Sequence, residues 1–278
     1  MDLGNLNGPM LFFGGPYSNL SATRAMRETA ESLGIPHSRV ICTGDLVAYC
    51  AEPNEVVDEI RHWGIPVVMG NCEESLANNS ADCGCGFESD SACALLSDSW
   101  YRYSNTHIRF DNRRWMSSLP REIRLRLAGR EILVVHGAPS SINRFVFAST
   151  TSTDKEQELR TAKADVIIGG HCGIPFGQAV GDGFWLNSGV IGMPANDGTS
   201  SGWFMLLKPS GDGYTAEWRR LDYDWLRTQE SMHKAGLANG YAQALESGLW
   251  PSMDVLPLPE RQRQGSLIEL EPLHIPAA

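Results

Sequence analysis

The chain has 278 residues, 42% of them hydrophobic, which is enough apolar material for one large α/β domain or two small ones and excludes global disorder. Its formal charge of −10 at pH 7 excludes bulk nucleic acid as a partner, because a chain without a basic stripe cannot displace the counterions of a phosphate backbone. A small anionic substrate remains compatible with this charge, since a metal ion or a few local cations can hold it.

The N-terminal residues, the longest apolar runs and the cysteine count indicate where the protein is located and the redox state of its thiols. Residues 1–9 contain no basic stretch followed by an apolar core, and no run reaches the roughly 18 apolar residues that cross a bilayer. We therefore expect a cytoplasmic protein with no membrane partner. Seven cysteines are an odd number in such a chain, which favours free thiols or thiolate metal ligands over a disulfide framework.

The first part of the chain alternates short apolar runs with helical patterns. Strands are predicted at residues 10–13, 39–43 and 66–69, and amphipathic helices at 20–33 and 53–63. A β-α-β-α-β series of this kind predicts parallel strands joined by right-handed crossovers.

The middle of the chain contains an insertion, residues 77–91, that is rich in Gly, Ser, Asn and Cys and too polar for a core, so we predict a functional loop followed by a helix at 92–103. The last three of the later strands are short and separated by Gly-rich turns, which predicts antiparallel pairing in a second sheet. These later strands are predicted at residues 131–135, 165–168, 184–186, 203–208 and 214–220.

The domain organisation predicted from these elements has three parts. Residues 1–222 form the α/β domain, and residues 223–250 form a helical segment, with one helix at 225–246, packed on that domain. The aromatic residues of this segment could alternatively support a homodimer. Residues 251–278 are Pro-rich and are expected to be extended or disordered.

Four predicted strands end with a glycine beside a residue that can bind metal. The carboxyl ends of strands in open α/β sheets are where ligands bind, so these four side chains can converge there. Singly, each has a structural alternative: a helix cap for the aspartate, a turn for the asparagine and a hydrogen-bonded core position for each histidine. Together they predict a metal site formed by Asp45, Asn71, His136 and His171.

Several motifs resemble those of the calcineurin-like metallophosphoesterase family over about residues 10–208. The third motif has the bacterial phosphodiesterase form, in which cysteine replaces the usual histidine, here at Cys72. The resemblance implies a two-sheet αββα sandwich with a dinuclear site that hydrolyses phosphate esters through a metal-bound hydroxide. The matching stretches are Thr43-Gly-Asp-Leu-Val-Ala-Tyr49, Glu52-Pro-Asn-Glu-Val-Val57, Gly70-Asn-Cys-Glu73, Val134-Val-His-Gly137, Gly169-Gly-His171 and Leu186-Asn-Ser-Gly-Val190.

The residue types of this site suit a divalent transition metal. A carboxylate such as Asp45 can bridge two cations. Imidazoles and an amide oxygen favour Mn, Fe, Ni or Zn over Ca. The predicted catalytic residues are His136, Asp45 and Glu73. Because the usual histidine is absent, the reaction requires either a substrate with a good leaving group or another acid, such as Glu73 or a cysteine.

The sequence departs from the family pattern at one of the two metal positions. Gly15 and Tyr17 stand where the first motif has aspartate and histidine, and Gly173 replaces the last histidine of the closing motif. Because all three losses fall on the same position, we predict one ion per chain, or a second ion with other ligands. The candidates for additional ligands are Cys83, Cys85 and Tyr17.

The predicted substrate is a small phosphorylated metabolite, contacted by Asn19, Tyr17, Arg144 and Asn187. Arg144 follows the His136 loop, where a guanidinium can bind two phosphate oxygens, although a surface ion pair is an equal alternative. Two other functions stay open: an enzyme of a different reaction class with a cysteine-modified metal site, and a catalytically silent relative that binds a ligand.

Overall fold

The computed structural model describes residues 1–86 and 91–278. Within them, one sheet has six strands in the order β1-β4-β5-β6-β8-β7 and the other has five in the order β11-β10-β9-β2-β3. The strands are β1 (Asp2–Asn5), β2 (Met10–Phe13), β3 (Val40–Cys42), β4 (Glu122–Leu127), β5 (Arg130–Val135), β6 (Val166–Gly169), β7 (Phe176–Val180), β8 (Gly183–Asn187), β9 (Gly202–Ser210), β10 (Gly213–Leu221) and β11 (Leu273–Ile275).

Helices cover the outer faces of both sheets. In chain order they are α1 (Leu20–Ser32), α2 (Pro53–Trp63), α3 (Asn71–Ala77), α4 (Ala92–His107), α5 (Phe110–Met116), α6 (Ser152–Ala162), α7 (Trp225–Lys234), α8 (Gly240–Ser247) and α9 (Leu258–Arg261). None of the helices in the described part of the chain is long and apolar enough to cross a membrane.

Strand β2 shows how the layers arise from the sequence. Its four residues are all apolar and fully buried, as expected for a strand that is covered on both faces. Met10 and Phe12 pack between the sheets, together with Val134 of β5. Leu11 and Phe13 point the other way, into the core beneath α1 and α2. The αββα sandwich is thereby confirmed.

Two predicted strands differ from the structure. Residues 66–69 form only one parallel bridge, Cys42 to Val67, because Pro66 has no N–H with which to extend the pairing. Strand β8, predicted for the second sheet, instead lies between β6 and β7 in the first, parallel to β6. The unpredicted strand β7 forms the hairpin with β8, which leaves the other edge of β8 free for β6. Strands β9 and β10 form the expected antiparallel pair.

The C-terminal region also differs from prediction. The single helix predicted at 225–246 is divided into α7 and α8, and the break contains Gly236 at φ +76°. The tail is not disordered at its end, since β11 pairs antiparallel with β10 and Ile275 is buried. The chain end therefore closes one edge of the five-stranded sheet.

Candidate metal centre

The four predicted ligands lie together where strands from both sheets end. Asp45 follows β3, Asn71 is the first residue of α3, His136 follows β5, and His171 follows β6. All four are buried, with between 1% and 7% of their surface exposed. The close contact of the loops depends on Gly44, where a Cβ would lie 2.7 Å from the backbone nitrogen of Gly70.

The donor atoms surround one point beside His136. Its Nε2 atom lies 3.0 Å from Asn71 Oδ1, 3.0 Å from His171 Nδ1 and 3.2 Å from Asp45 Oδ2. Ligands at cis positions of a six-coordinate transition ion, each about 2.1 Å from the metal, are separated by roughly 3 Å. The spacing of the four atoms therefore fits a single divalent cation.

The hydrogen bonding of His136 supports the same interpretation. Its Nδ1 lies 2.7 Å from the carbonyl oxygen of Thr43, which can only accept, so Nδ1 carries the hydrogen and Nε2 of the neutral ring has a lone pair. That lone pair faces further lone pairs on Asp45, Asn71 and His171. Burial opposes a charge on His136, but the Asp45 carboxylate outweighs it and raises the pKa of His136 above its ordinary value. A bound cation would satisfy all four donors without that proton.

The protonation states of the other two titratable ligands suit metal binding. Burial alone raises the pKa of Asp45, but the neighbouring His136 outweighs burial and holds this pKa below its ordinary value, so the carboxylate is ionised. Burial, with a smaller effect of His136, lowers the pKa of His171 to about 3, so its imidazole is neutral. An anionic carboxylate and a neutral imidazole are the forms that coordinate metals.

The cysteine-containing loop orients Asn71. The Asn71 Nδ2 group donates to the carbonyl oxygen of Cys83 at 3.0 Å and to Cys85 Sγ at 3.3 Å. Asn143, just after the His136 loop, donates to the carbonyl of Gly84 at 3.0 Å. Because the amide nitrogen is held by this loop, Asn71 Oδ1 is left facing His136. The predicted functional loop thus contacts the centre directly, although its residues 87–90 lie outside the described part.

Cys83 and Cys85 are joined to each other by a disulfide, which corrects the expectation that they are thiolate metal ligands, because the bonded sulfurs are not thiolates. This bond also differs from the expectation that free thiols or thiolate ligands are favoured over disulfides in this chain. The other cysteines are free and buried, namely Cys42, Cys50, Cys72, Cys93 and Cys172.

Glu73 does not face the centre as a proton donor would. Its Oε2 accepts from the backbone N–H of Asp45 at 2.7 Å and of Gly70 at 2.9 Å, and its Oε1 accepts from Leu46 at 2.7 Å and Val47 at 3.3 Å. Burial and the Asp45 carboxylate raise the pKa of Glu73 to about 7, while the amides lower it. These contacts make Glu73 a residue that holds the Asp45 loop against α3, contrary to its predicted catalytic role.

A tyrosine ring occupies the space where the side chain of the first-motif aspartate would begin. Gly15 has φ +44°, and a Cβ there would lie 2.6 Å from Tyr17 Cε2 and 2.7 Å from Val190 Cγ1. The side chain of a first-motif aspartate would therefore collide with Tyr17, which is itself buried. At Gly173, a Cβ would lie 3.6 Å from the Trp250 ring. Tyr17 lines this space, and Trp250 covers the position of the missing last histidine.

This crowding gives a stability prediction for Gly15→Ala. We expect the free energy of unfolding to fall by about 2–4 kcal/mol, because the cost of placing alanine at a positive φ adds to the cost of its collision with Tyr17. Gly34→Ala is the matched control, because Gly34 has φ +67° but a Cβ there meets nothing within 4 Å, and its cost should be about 1 kcal/mol. Equal losses in urea unfolding would show that Tyr17 does not fill the space beside Gly15.

Three residues predicted to contact substrate have structural contacts instead. Asn19 caps α1, with Oδ1 accepting from Ala22 N at 3.0 Å and from Thr228 Oγ1 at 2.8 Å. The Asn187 side chain accepts from Gly189 N at 2.9 Å and donates to Cys172 Sγ at 3.2 Å. Arg144 forms an ion pair with the buried Glu158. Their polar groups are therefore engaged within the fold.

A cavity opens beside Asp45 and His171, and its walls include residues that sequence analysis missed. Phe145 lies with its ring centre 4.1 Å from that of His171. Tyr49 and Tyr241 lie further along the wall. The only indication in the sequence was the aromatic composition of residues 225–250, which was interpreted as a packing or dimer surface.

The fold and the buried donor cluster define a metal-binding α/β sandwich. Residues 18–210 match the model of the calcineurin-like phosphoesterase superfamily domain, and the chain belongs to this family. The predicted resemblance is thus confirmed.

Individual relatives extend this likeness over most of the chain. The uncharacterized protein MJ0912 of Methanocaldococcus jannaschii is 25% identical over 248 residues, which is 84% of this chain and 95% of that protein. A metallophosphoesterase from Sphaerobacter thermophilus has a TM-score of 0.67 at 19% identity, covering 88% of this chain and 100% of that one. The hypothetical protein PH1004 from Pyrococcus horikoshii OT3 has a TM-score of 0.74 at 16% identity, covering 90% and 100%. These two structures show the shared fold.

Proposed function

We propose that the protein is a metal-dependent phosphoesterase that hydrolyses a small phosphate ester with one divalent transition ion, Mn, Fe, Ni or Zn, per chain. The observation that carries this proposal is the convergence of three donor atoms within 3.0–3.2 Å of His136 Nε2. Membership of the phosphoesterase family supports the reaction class. Asp45 and His171 line a cavity, so a small substrate that enters it would reach the metal centre.

Contacts with neighbouring residues hold the side chains of the predicted ligands in fixed orientations. The Thr43 carbonyl fixes the His136 ring, the Cys83 carbonyl fixes the Asn71 amide, and Glu73 fixes the Asp45 loop. Such outer contacts hold ligands in the geometry that a metal requires. A divalent cation held by these residues would lower the pKa of a coordinated water and would neutralise charge on the phosphoryl oxygens.

None of the residues near the centre that the structure describes is well suited to protonate the leaving group. Glu73 is held by backbone amides, and burial raises the pKa of the Cys72 thiol well above its ordinary value. Burial likewise raises the pKa of Tyr17, so its hydroxyl stays protonated and can donate a hydrogen bond in the cavity. We therefore expect activity mainly on esters whose leaving groups depart without full protonation.

Metal content and turnover test this function together. Purified protein loaded with Mn or Ni should contain about one ion per chain and hydrolyse bis(4-nitrophenyl) phosphate, and a chelator should abolish turnover reversibly. Two ions per chain would contradict the single-site proposal.

One observation favours a second candidate, a catalytically silent relative that binds a ligand. The Tyr17 ring fills the space beside Gly15, so the position that would hold a second catalytic ion is lost. A protein that binds one ion but turns over no phosphate ester, with any of the four metals, would support this candidate over the phosphoesterase.

A further inference from the structure

The cavity beside the metal centre has several aromatic residues in its wall. Chain segments far apart in sequence contribute to it, and its lining includes Tyr17, Tyr49, Phe145, Tyr241, Trp250 and Val255. Asp45 and His171 also line it, so a ligand whose phosphate lies at the metal centre would extend its remaining atoms along these rings.

The rings are held in place by mutual packing. The ring centres of Tyr17 and Tyr49 are 4.7 Å apart at an interplanar angle of 73°, and those of Tyr49 and Tyr241 are 4.4 Å apart at 35°. Trp250 donates its indole N–H to the carbonyl of Pro194 at 2.7 Å. A wall formed in advance binds a planar group without the entropic cost of ordering side chains.

The charge of the cavity limits the substrate further. Over residues 1–86 and 91–278, no lysine or arginine lines it. Arg144, the cation predicted for this purpose, is paired with Glu158 instead. A phosphomonoester carries close to two negative charges at neutral pH, and beside the Asp45 carboxylate it would have only the metal ion to neutralise them. A phosphodiester carries one negative charge and fits this balance better.

We propose that this cavity binds an aromatic ester group of a monoanionic phosphodiester, with its phosphate at the metal centre. The assignment rests on the proposed function for the position of the phosphate. Offset or edge-on contact with Trp250 and Tyr241 is the arrangement that aromatic rings prefer. The substrate class is therefore a small phosphodiester in which at least one ester group contains an aromatic ring.

Binding measurements with two non-activated diesters test this assignment. Diphenyl phosphate and dimethyl phosphate carry the same charge and differ in their rings. Calorimetry on Mn-loaded protein should show diphenyl phosphate binding at least about tenfold more tightly. Phenyl phosphate, with one ring but nearly two charges, should bind more weakly than diphenyl phosphate.

Variants locate the effect in the cavity. Trp250→Ala should lose most of the preference for diphenyl phosphate and leave dimethyl phosphate binding unchanged. Phe110→Ala is the matched control, because Phe110 is an exposed aromatic residue that does not line the cavity, and it should keep the preference. If Trp250→Ala does not fold, Ser252→Trp, which places a large ring at a lining position, should block diphenyl phosphate instead.

The outcomes separate this inference from the proposed function. Equal binding of the two diesters, or a preference that survives both Trp250→Ala and Ser252→Trp, overturns the aromatic assignment even if bis(4-nitrophenyl) phosphate is hydrolysed. A preference that these variants remove, in a protein that hydrolyses no diester, supports the cavity assignment and counts against the phosphoesterase.

Discussion

Replacing His136 with alanine is expected to abolish both metal binding and turnover. Its Nε2 is the atom around which Asp45, Asn71 and His171 are gathered, so its loss removes one ligand and leaves a gap between the others. Metal affinity should fall by more than about 100-fold, since even residues behind a ligand change affinity by 10- to 100-fold. Metal analysis after dialysis, together with hydrolysis of bis(4-nitrophenyl) phosphate, measures both effects.

The same substitution should lower stability in metal-free protein. The Asp45 carboxylate is 4% exposed, and without His136 it loses its nearest partner, a change that costs about 3 kcal/mol when a buried pair is broken. His62→Ala is the control, because His62 is an exposed residue of α2 and should change neither metal content nor stability appreciably. Retention of a full equivalent of metal by His136→Ala would contradict the proposed centre.

Replacing Glu73 with glutamine is expected to destabilise the fold by about 3 kcal/mol, which corresponds to a fall in Tm of roughly 6–12 °C. Glutamine is nearly the same size, but its NH₂ group cannot accept the backbone N–H groups that each Glu73 oxygen now accepts. The Asp45 loop should loosen and metal affinity should fall with it. Thermal unfolding and metal titration on the same sample test both consequences.

A matched neighbour distinguishes this role from proton donation. Glu74 lies next along α3, and its carboxylate pairs with the largely exposed Arg121, so Glu74→Gln should change stability by no more than about 0.5 kcal/mol. If Glu73 were the acid of the reaction, Glu73→Gln would keep its Tm and metal affinity and lose only turnover. That pattern would restore the catalytic role expected from the sequence.

Much of the sandwich could be predicted because its local patterns are strong. Helices α1 and α2 have apolar residues at the helical period, and the four-residue apolar run of β2 is too short for a helix. Strand β4 was missed although its charged and apolar residues alternate as a half-buried strand requires. Strand β8 was assigned to the wrong sheet for another reason. The sheet that a strand joins depends on the path of the whole chain, which a local pattern does not contain.

At the centre, the sequence by itself determined which residue types could bind metal and at which strand ends they lie, because a strand followed by glycine and a donor residue is a local pattern. Only the tertiary structure decided how the remaining polar residues are used. Glu73, Asn19 and Arg144 look equally available in sequence, yet each is engaged by backbone amides or side chains from distant segments. The aromatic cavity was likewise a tertiary outcome, since Tyr17 and Trp250 meet at the site through long-range packing that no sequence period encodes.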